Sequence, residues 1–155
     1  MNTNLVQLSS NELAQANVAQ QHISQKEFEI KLVDINSMHL SSQDASTYFY
    51  NQQRKQSLQT EISNIKLRRD NHINAAISYA LALAEKELNE RSAFSRASVL
   101  LSNIRSFLTI QNIRFTVSLP VMLKMSLLNS RLQRTIGHAS LKQELKNLKM
   151  QLQIS

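Results

Sequence analysis

Apolar residues recur every three or four positions over most of this chain, which is the spacing of one face of an α-helix. The longest such run lies between residues 42 and 90, where neither glycine nor proline interrupts it. Its members, with Arg69 filling the one gap, are Leu58, Ile62, Ile65, Ile73, Ile77, Ala80, Ala84 and Leu88. The pattern predicts one long helix over about 42–90, with a break near Asp70 or Asn71 as the alternative, since either residue can cap a new helix.

A first helix is predicted on the N-terminal side of this long helix. Ser9 and Glu12 have the spacing of a capping box, which indicates a helix over about 10–35. Ser41 and Asp44 have the same spacing and mark the start of the long helix.

Residues 27–33 are compatible with either a helix or a strand. Charged and apolar residues alternate there, and Ile30 fits only that strand period. Phe28, Leu32 and Ile35 instead share one helical face, so the helix is favoured.

Three further helices are predicted after residue 90. Their apolar stripes are Phe94, Ala97, Leu101, Ile104 and Leu108; then Val121, Met125, Leu128, Leu132 and Ile136; then Leu141, Leu145, Leu148 and Leu152. Pro120 suits the first turn of the middle helix and Gly137 its end. Ser140 with Gln143 is expected to cap the last one.

Between the first two of these helices, residues 112–119 alternate between apolar and polar in the manner of a strand. A strand needs a partner for its backbone groups, either residues 27–33 or another copy of the chain. A helix that continues as far as Leu119 is the equally weighted alternative.

The predicted fold class is therefore all-α or nearly so: a helical bundle or hairpin built on the 42–90 helix, with a possible minor strand at 112–119. The length of 155 residues suits one domain, which we expect over 10–155 after a flexible tail over 1–9. The most apolar window, 107–128, contains Arg114, Lys124 and Pro120, so no transmembrane segment is predicted. No signal peptide is seen either, and we expect a cytoplasmic protein or one within a macromolecular assembly.

Composition argues against catalysis. A single glycine, a single proline and no cysteine leave no material for phosphate-binding loops, nucleophile elbows or thiolate metal sites. The histidines never pair at helical spacing: they are His22, His39, His72 and His138. Glu85, Glu87 and Glu90 are interpreted as a solvated face. We predict no catalytic residue, no cofactor, no metal site and no enzyme.

Charge is distributed unevenly along the chain, whose formal net charge is +7. Residues 1–90 hold 8 Lys/Arg against 10 Asp/Glu, whereas residues 91–155 hold 10 against the single Glu144. This basic C-terminal part indicates a negative partner, unless the charges only solvate the surface. The candidate partner-binding cations are Lys66, Arg68, Arg69, Arg131, Arg134, Lys142, Lys146 and Lys149.

Two functions are predicted in order of preference. The first is a non-enzymatic assembly or adaptor protein that acts as a homo-oligomer or as a subunit of a larger complex, because a long helix in a small chain leaves apolar surface to cover. By analogy alone, such helices are typical of parts of phage particles, secretion machines and chaperones. The alternative is a nucleic-acid-binding protein that uses residues 91–155, although the only aromatic residues there, Phe94, Phe107 and Phe115, are expected in the core.

Overall fold

A computed structural model describes residues 4–90 and 94–153, except for the side chain of Ser42. These residues form an all-α helical bundle fold. The helices are α1 (Leu5–Met38), α2 (Ala45–Leu88), α3 (Arg96–Ile110), α4 (Leu119–Gln133) and α5 (Ala139–Gln151), with a 3₁₀ turn at Ser42–Asp44 before α2. The chain divides into two compact units: residues 16–69, here called the hairpin unit, and residues up to 15 with those from 70 onward, here called the bundle unit.

The hairpin unit consists of the second part of α1 and the first part of α2. Its buried residues alternate three and four apart: Ala16, Ala19 and Ile23 on α1, and Leu58, Ile62 and Ile65 on α2. Ion pairs flank this apolar core, with nitrogen–oxygen distances of 2.6 Å for Lys26–Glu61 and 3.0 Å for Lys55–Asp34. Both the apolar contacts and the paired charges therefore hold the two segments together.

Residues 27–33 are helical, but the side of α1 that faces the core differs from the expected one. Ile30 packs against the buried cluster of Ile23, Ile62 and Ile65. Phe28 and Leu32, which define the predicted face, are exposed, as is Ile35. The reason is spacing, since Ile30 follows Ile23 by two full turns and continues the buried face.

The start of α1 differs from the expectation. The helix begins at Leu5, where the Asn4 side chain accepts a hydrogen bond from the Gln7 backbone N–H. Ser9 is not a cap: its hydroxyl donates to the Ala76 carbonyl at 2.8 Å and is buried. Residues 5–9, expected to be a flexible tail, are thus helical, while residues 1–3 of that tail lie outside the described residues.

α2 is one continuous helix, and the alternative break near residue 70 is wrong. The predicted capping box before it is confirmed, because the Ser41 backbone N–H donates to the Asp44 carboxylate at 3.0 Å. Arg69 does not interrupt the apolar stripe, since its guanidinium is buried and donates to the Gln20 side chain at 2.8 Å.

In the bundle unit, α5 contacts both α3 and α4. The α5 leucines Leu141, Leu145 and Leu148 are fully buried, as predicted, and Leu152 is partly so. Phe94, expected in the core, is exposed instead.

The predicted strand at 112–119 is not formed in the described residues, and neither is the alternative continuous helix. Residues 113–118 have no regular secondary structure, and α4 starts at Leu119. The Asn74 side chain takes the place of a neighbouring strand: it donates to the Thr116 carbonyl at 3.2 Å and accepts from the Ser118 N–H at 2.9 Å. An amide side chain carries the donor and acceptor of a peptide group, so it satisfies this segment without a sheet.

The connection between α4 and α5 also departs from the sequence pattern. α4 ends at Gln133 with Arg134 as its C-cap, ahead of Gly137, so Ile136 is 99% exposed rather than part of the apolar face. Gly137 lies in the loop with φ 96°, and His138 follows with φ 55°. The predicted Ser140 cap is wrong, because α5 begins at Ala139.

Candidate functional site

A groove lies between α4 and α5, and lysines line it. Burial of the α5 leucines turns the lysine row, one residue further on, toward this groove. Its volume is about 490 Å³ and its lining residues are Asn129, Gln133, Ala139, Lys142, Gln143, Lys146, Lys149 and Met150. No carboxylate is among them, so the groove carries charge of one sign.

Lys142 is engaged within the protein. Its ammonium donates to the Thr135 carbonyl at 2.7 Å, just beyond the end of α4. A cation there also interacts favourably with the partial negative charge of a helix C-terminus. Lys142 therefore stabilises the α4–α5 connection as well as lining the groove.

Lys146 and Lys149 make no hydrogen bond or ion pair within the described part of the chain. The acid nearest to them in sequence, Glu144, accepts instead from the Arg105 guanidinium of α3 at 3.4 Å. The Glu144 side chain thus pairs with α3, and within the described residues these two lysines have no carboxylate partner.

The other candidate cations lie elsewhere. Arg131 is half-buried in the last turn of α4 and Arg134 is exposed at its C-cap, and neither lines the groove. In the hairpin unit Lys66 and Arg68 are exposed, whereas Arg69 is 5% exposed and so presents no surface cation. The groove contains three of the eight candidates, which are Lys142, Lys146 and Lys149.

A second surface, which the sequence interpretation placed in the core, lies on α1 of the hairpin unit. Phe28, Leu32 and Ile35 are 60%, 50% and 52% exposed, and Val18 extends the same face by helical spacing. We call these four residues the outer face of α1. α1 therefore has apolar residues on two opposite sides, a signal that could have been read from the heptad spacing of Ile23 and Ile30.

The aromatic residues of the hairpin unit are also exposed. The whole chain has five phenylalanines and three tyrosines. Those in the hairpin unit are Phe28, Tyr48, Phe49 and Tyr50, and all four are exposed. Exposed aromatic side chains are enriched where proteins bind one another.

Glu87 has a structural role that the sequence interpretation missed. It is buried, and its carboxylate accepts from the backbone N–H groups of Arg96 and Ala97 at 2.9 and 2.8 Å, at the start of α3. The interpretation as a solvated residue is wrong for Glu87. The available signal was its position three residues after Ala84, on the buried side of α2.

Ionisable pairs elsewhere follow ordinary structural chemistry. His72 contacts the Glu12 carboxylate through Nδ1 at 2.6 Å. The hydrogen bond and charge of Lys26 lower the pKa of Glu61 below its ordinary value. Within residues 4–90 and 94–153, histidine and carboxylate side chains nowhere gather in a group of three that could hold a metal ion.

Comparison with known proteins finds no matching family, no matching curated protein and no matching solved structure. None of the helices in the described part of the chain combines the length and the apolar character needed to cross a bilayer.

Proposed function

We propose that this protein is a non-enzymatic assembly protein that associates with further copies of itself through the outer face of α1. The main support is that α1 is apolar on two opposite sides, of which α2 covers only one. An apolar face that stays exposed on a helix is typical of a surface that binds another protein.

Exposed apolar side chains at helical spacing are the contacts by which one helix packs on another. Phe28, Leu32 and Ile35 stand at i, i+4 and i+7, which is the anchor pattern of helix pairing. The aromatic anchor Phe28 supplies the kind of side chain that dominates binding energy at interfaces.

The charges beside this face favour a second copy as the partner. Glu27 and Lys31 are both exposed next to it, so both signs are present. When two copies meet through this face, charges of both signs are available on each side of the interface. A face with charge of only one sign would instead repel its own copy.

Sedimentation velocity between 1 and 100 µM tests this proposal. We expect the wild-type protein to sediment as a dimer or larger species at tens of micromolar, and Leu32→Glu to shift it to the monomer. Leu123→Glu is the matched control, because Leu123 is an equally exposed leucine on α4. Circular dichroism checks that both variants keep their helicity.

A wild-type protein that stays monomeric at 100 µM contradicts self-association. Equal dissociation by Leu32→Glu and Leu123→Glu contradicts the placement on α1, since it would indicate nonspecific contact between apolar surfaces.

A further inference from the structure

We infer that the lysine-lined groove between α4 and α5 binds the phosphate backbone of a nucleic acid, without reading its sequence. This is a binding activity beyond self-association, and it concerns different residues. Three features of the groove support this: the charge of Lys146 and Lys149, its polar lining and the burial of the α5 leucines.

The first step is electrostatic. Lys142, Lys146 and Lys149 are spaced i, i+4 and i+7, and like charges on neighbouring turns of one helical face repel one another. In the hairpin unit, by contrast, Lys26 and Lys55 are paired with carboxylates at 2.6 and 3.0 Å. The α5 row lacks such partners, so an anion in the groove would relieve its repulsion.

The second step identifies the anion by the groove's neutral lining. Asn129 and Gln133 add amide donors to the lysines, and the amide of Gln143, which also lines the groove, donates to the Asn147 side chain at 2.8 Å. Lysine, asparagine and glutamine side chains are common donors to phosphate oxygens in nucleic-acid complexes. An acidic helix would instead dock through several apolar anchor residues, whereas Ala139 and Met150 are the two apolar residues of this lining.

The burial of α5 favours a nucleic acid over a lipid surface as the partner of the groove. A basic amphipathic helix binds membranes by inserting its apolar side between the lipids. On α5 that side consists of Leu141, Leu145 and Leu148, which are fully buried against the protein. The helix therefore offers its charge to an anion but no apolar side to a bilayer.

The groove chemistry also sets the mode of recognition. No aromatic residue lines it, so it has no platform on which unpaired bases could stack. Lysine side chains on a backbone fix position and contribute affinity but carry no sequence information. We therefore expect similar affinity for duplexes of unrelated sequence and a steep dependence on salt.

The test is fluorescence anisotropy with two labelled DNA duplexes of unrelated sequence, at 50 and 200 mM salt. The variant is the double substitution Lys146→Gln and Lys149→Gln. The matched control is Lys86→Gln with Lys124→Gln, which removes the same charge from exposed lysines of the bundle unit outside the groove. Sedimentation in the same buffer reports self-association separately, so failure of one proposal is distinguishable from failure of the other.

We expect binding by the wild type that is equal for both duplexes. The groove variant should weaken it by about 10- to 100-fold at 50 mM salt and flatten the slope of log K against log salt by about two, while the control falls less than threefold. Polyglutamate should displace the duplex poorly. Absence of binding at 50 mM salt, an equal loss in the control, or displacement by polyglutamate as effective as by unlabelled DNA would each overturn the inference.

Discussion

Two side chains of α2 hydrogen-bond to backbone groups of later segments of the chain. The Glu87 carboxylate accepts from the first N–H groups of α3. The Asn74 side chain donates to the Thr116 carbonyl and accepts from the Ser118 N–H. Helical spacing placed Glu87 on the buried side of α2, but periodicity names neither its backbone partners nor those of Asn74, which lie more than 40 residues away. The contact of Glu87 with the buried Ala97 N–H follows the rule that buried backbone polar groups find partners.

Replacing Glu87 by glutamine should destabilise the protein by about 1–2 kcal/mol, because an amide is a weaker acceptor than a carboxylate at a helix N-terminus. Urea unfolding followed by circular dichroism measures the change. Glu90→Gln is the control, since Glu90 is exposed, and it should stay within about 0.5 kcal/mol. Equal effects of the two substitutions would contradict the capping role.

Asn74→Ala should cost about 1 kcal/mol, because it leaves the Thr116 carbonyl and the Ser118 N–H without their partner while water reaches part of this segment. The same unfolding assay applies. Asn103→Ala, at an exposed position of α3, should have little effect. A neutral Asn74→Ala would show that water replaces the amide fully.

The ion pair between Lys26 and Glu61 makes a pH-dependent contribution to the stability of the folded protein. Because folding lowers the pKa of Glu61, the stabilisation is present above the glutamate pKa of the unfolded chain and is lost as the pH falls through the lowered folded value. Lys26→Met should raise the pKa of Glu61 toward its ordinary value, and Lys31→Met should leave the pKa of Glu61 unchanged. An NMR titration measures both. A Glu61 that titrates ordinarily in the wild type would contradict the pair.

At the scale of elements, the spacing of apolar residues predicted where the helices lie. It did not always predict which side of a helix packs against the core. α2 and α5 bury most of their predicted stripes on one apolar side each, although Leu88 and Leu152 are only partly buried. α1 has two apolar sides, and the sequence alone could not decide which of Ile30 and Leu32 meets α2. The same limit applies to the candidate site: the lysine row was readable, but its place in a groove with Asn129 depends on how α4 packs.

Leu145→Ala should cost about 2–5 kcal/mol, since Leu145 is fully buried and its loss leaves a cavity between packed helices. The neighbouring Lys146→Gln should change stability by less than about 0.5 kcal/mol, because Lys146 is exposed. Thermal and urea unfolding of both variants measure the contrast. A destabilising Lys146→Gln would mean that the lysine row supports the fold rather than a partner.

At the scale of the whole molecule, the two units present different chemistry: an apolar outer face on the hairpin unit and a cationic groove on the bundle unit. They also differ in their cores. The buried apolar residues of the hairpin unit come from two helical segments and include Ala16 and Ala19, with polar Asn51 and Arg69 also buried. The bundle unit contributes the leucine-rich sides of α3, α4 and α5. Local stability follows the amount of apolar burial, so the hairpin unit should open more readily.

Hydrogen exchange read by mass spectrometry tests this difference at low micromolar concentration, where self-association is least. Backbone amides of residues 50–62 should exchange at least about tenfold faster than those of residues 100–108, because fewer apolar contacts oppose their opening. Ile62→Ala should accelerate exchange further in residues 50–62 while leaving α3 and α5 close to wild type, since Ile62 belongs to the buried cluster of the hairpin unit. Leu145→Ala should accelerate α3 and α5 instead. Uniform protection across both regions, or acceleration of α5 by Ile62→Ala, would mean that the chain opens as one cooperative body.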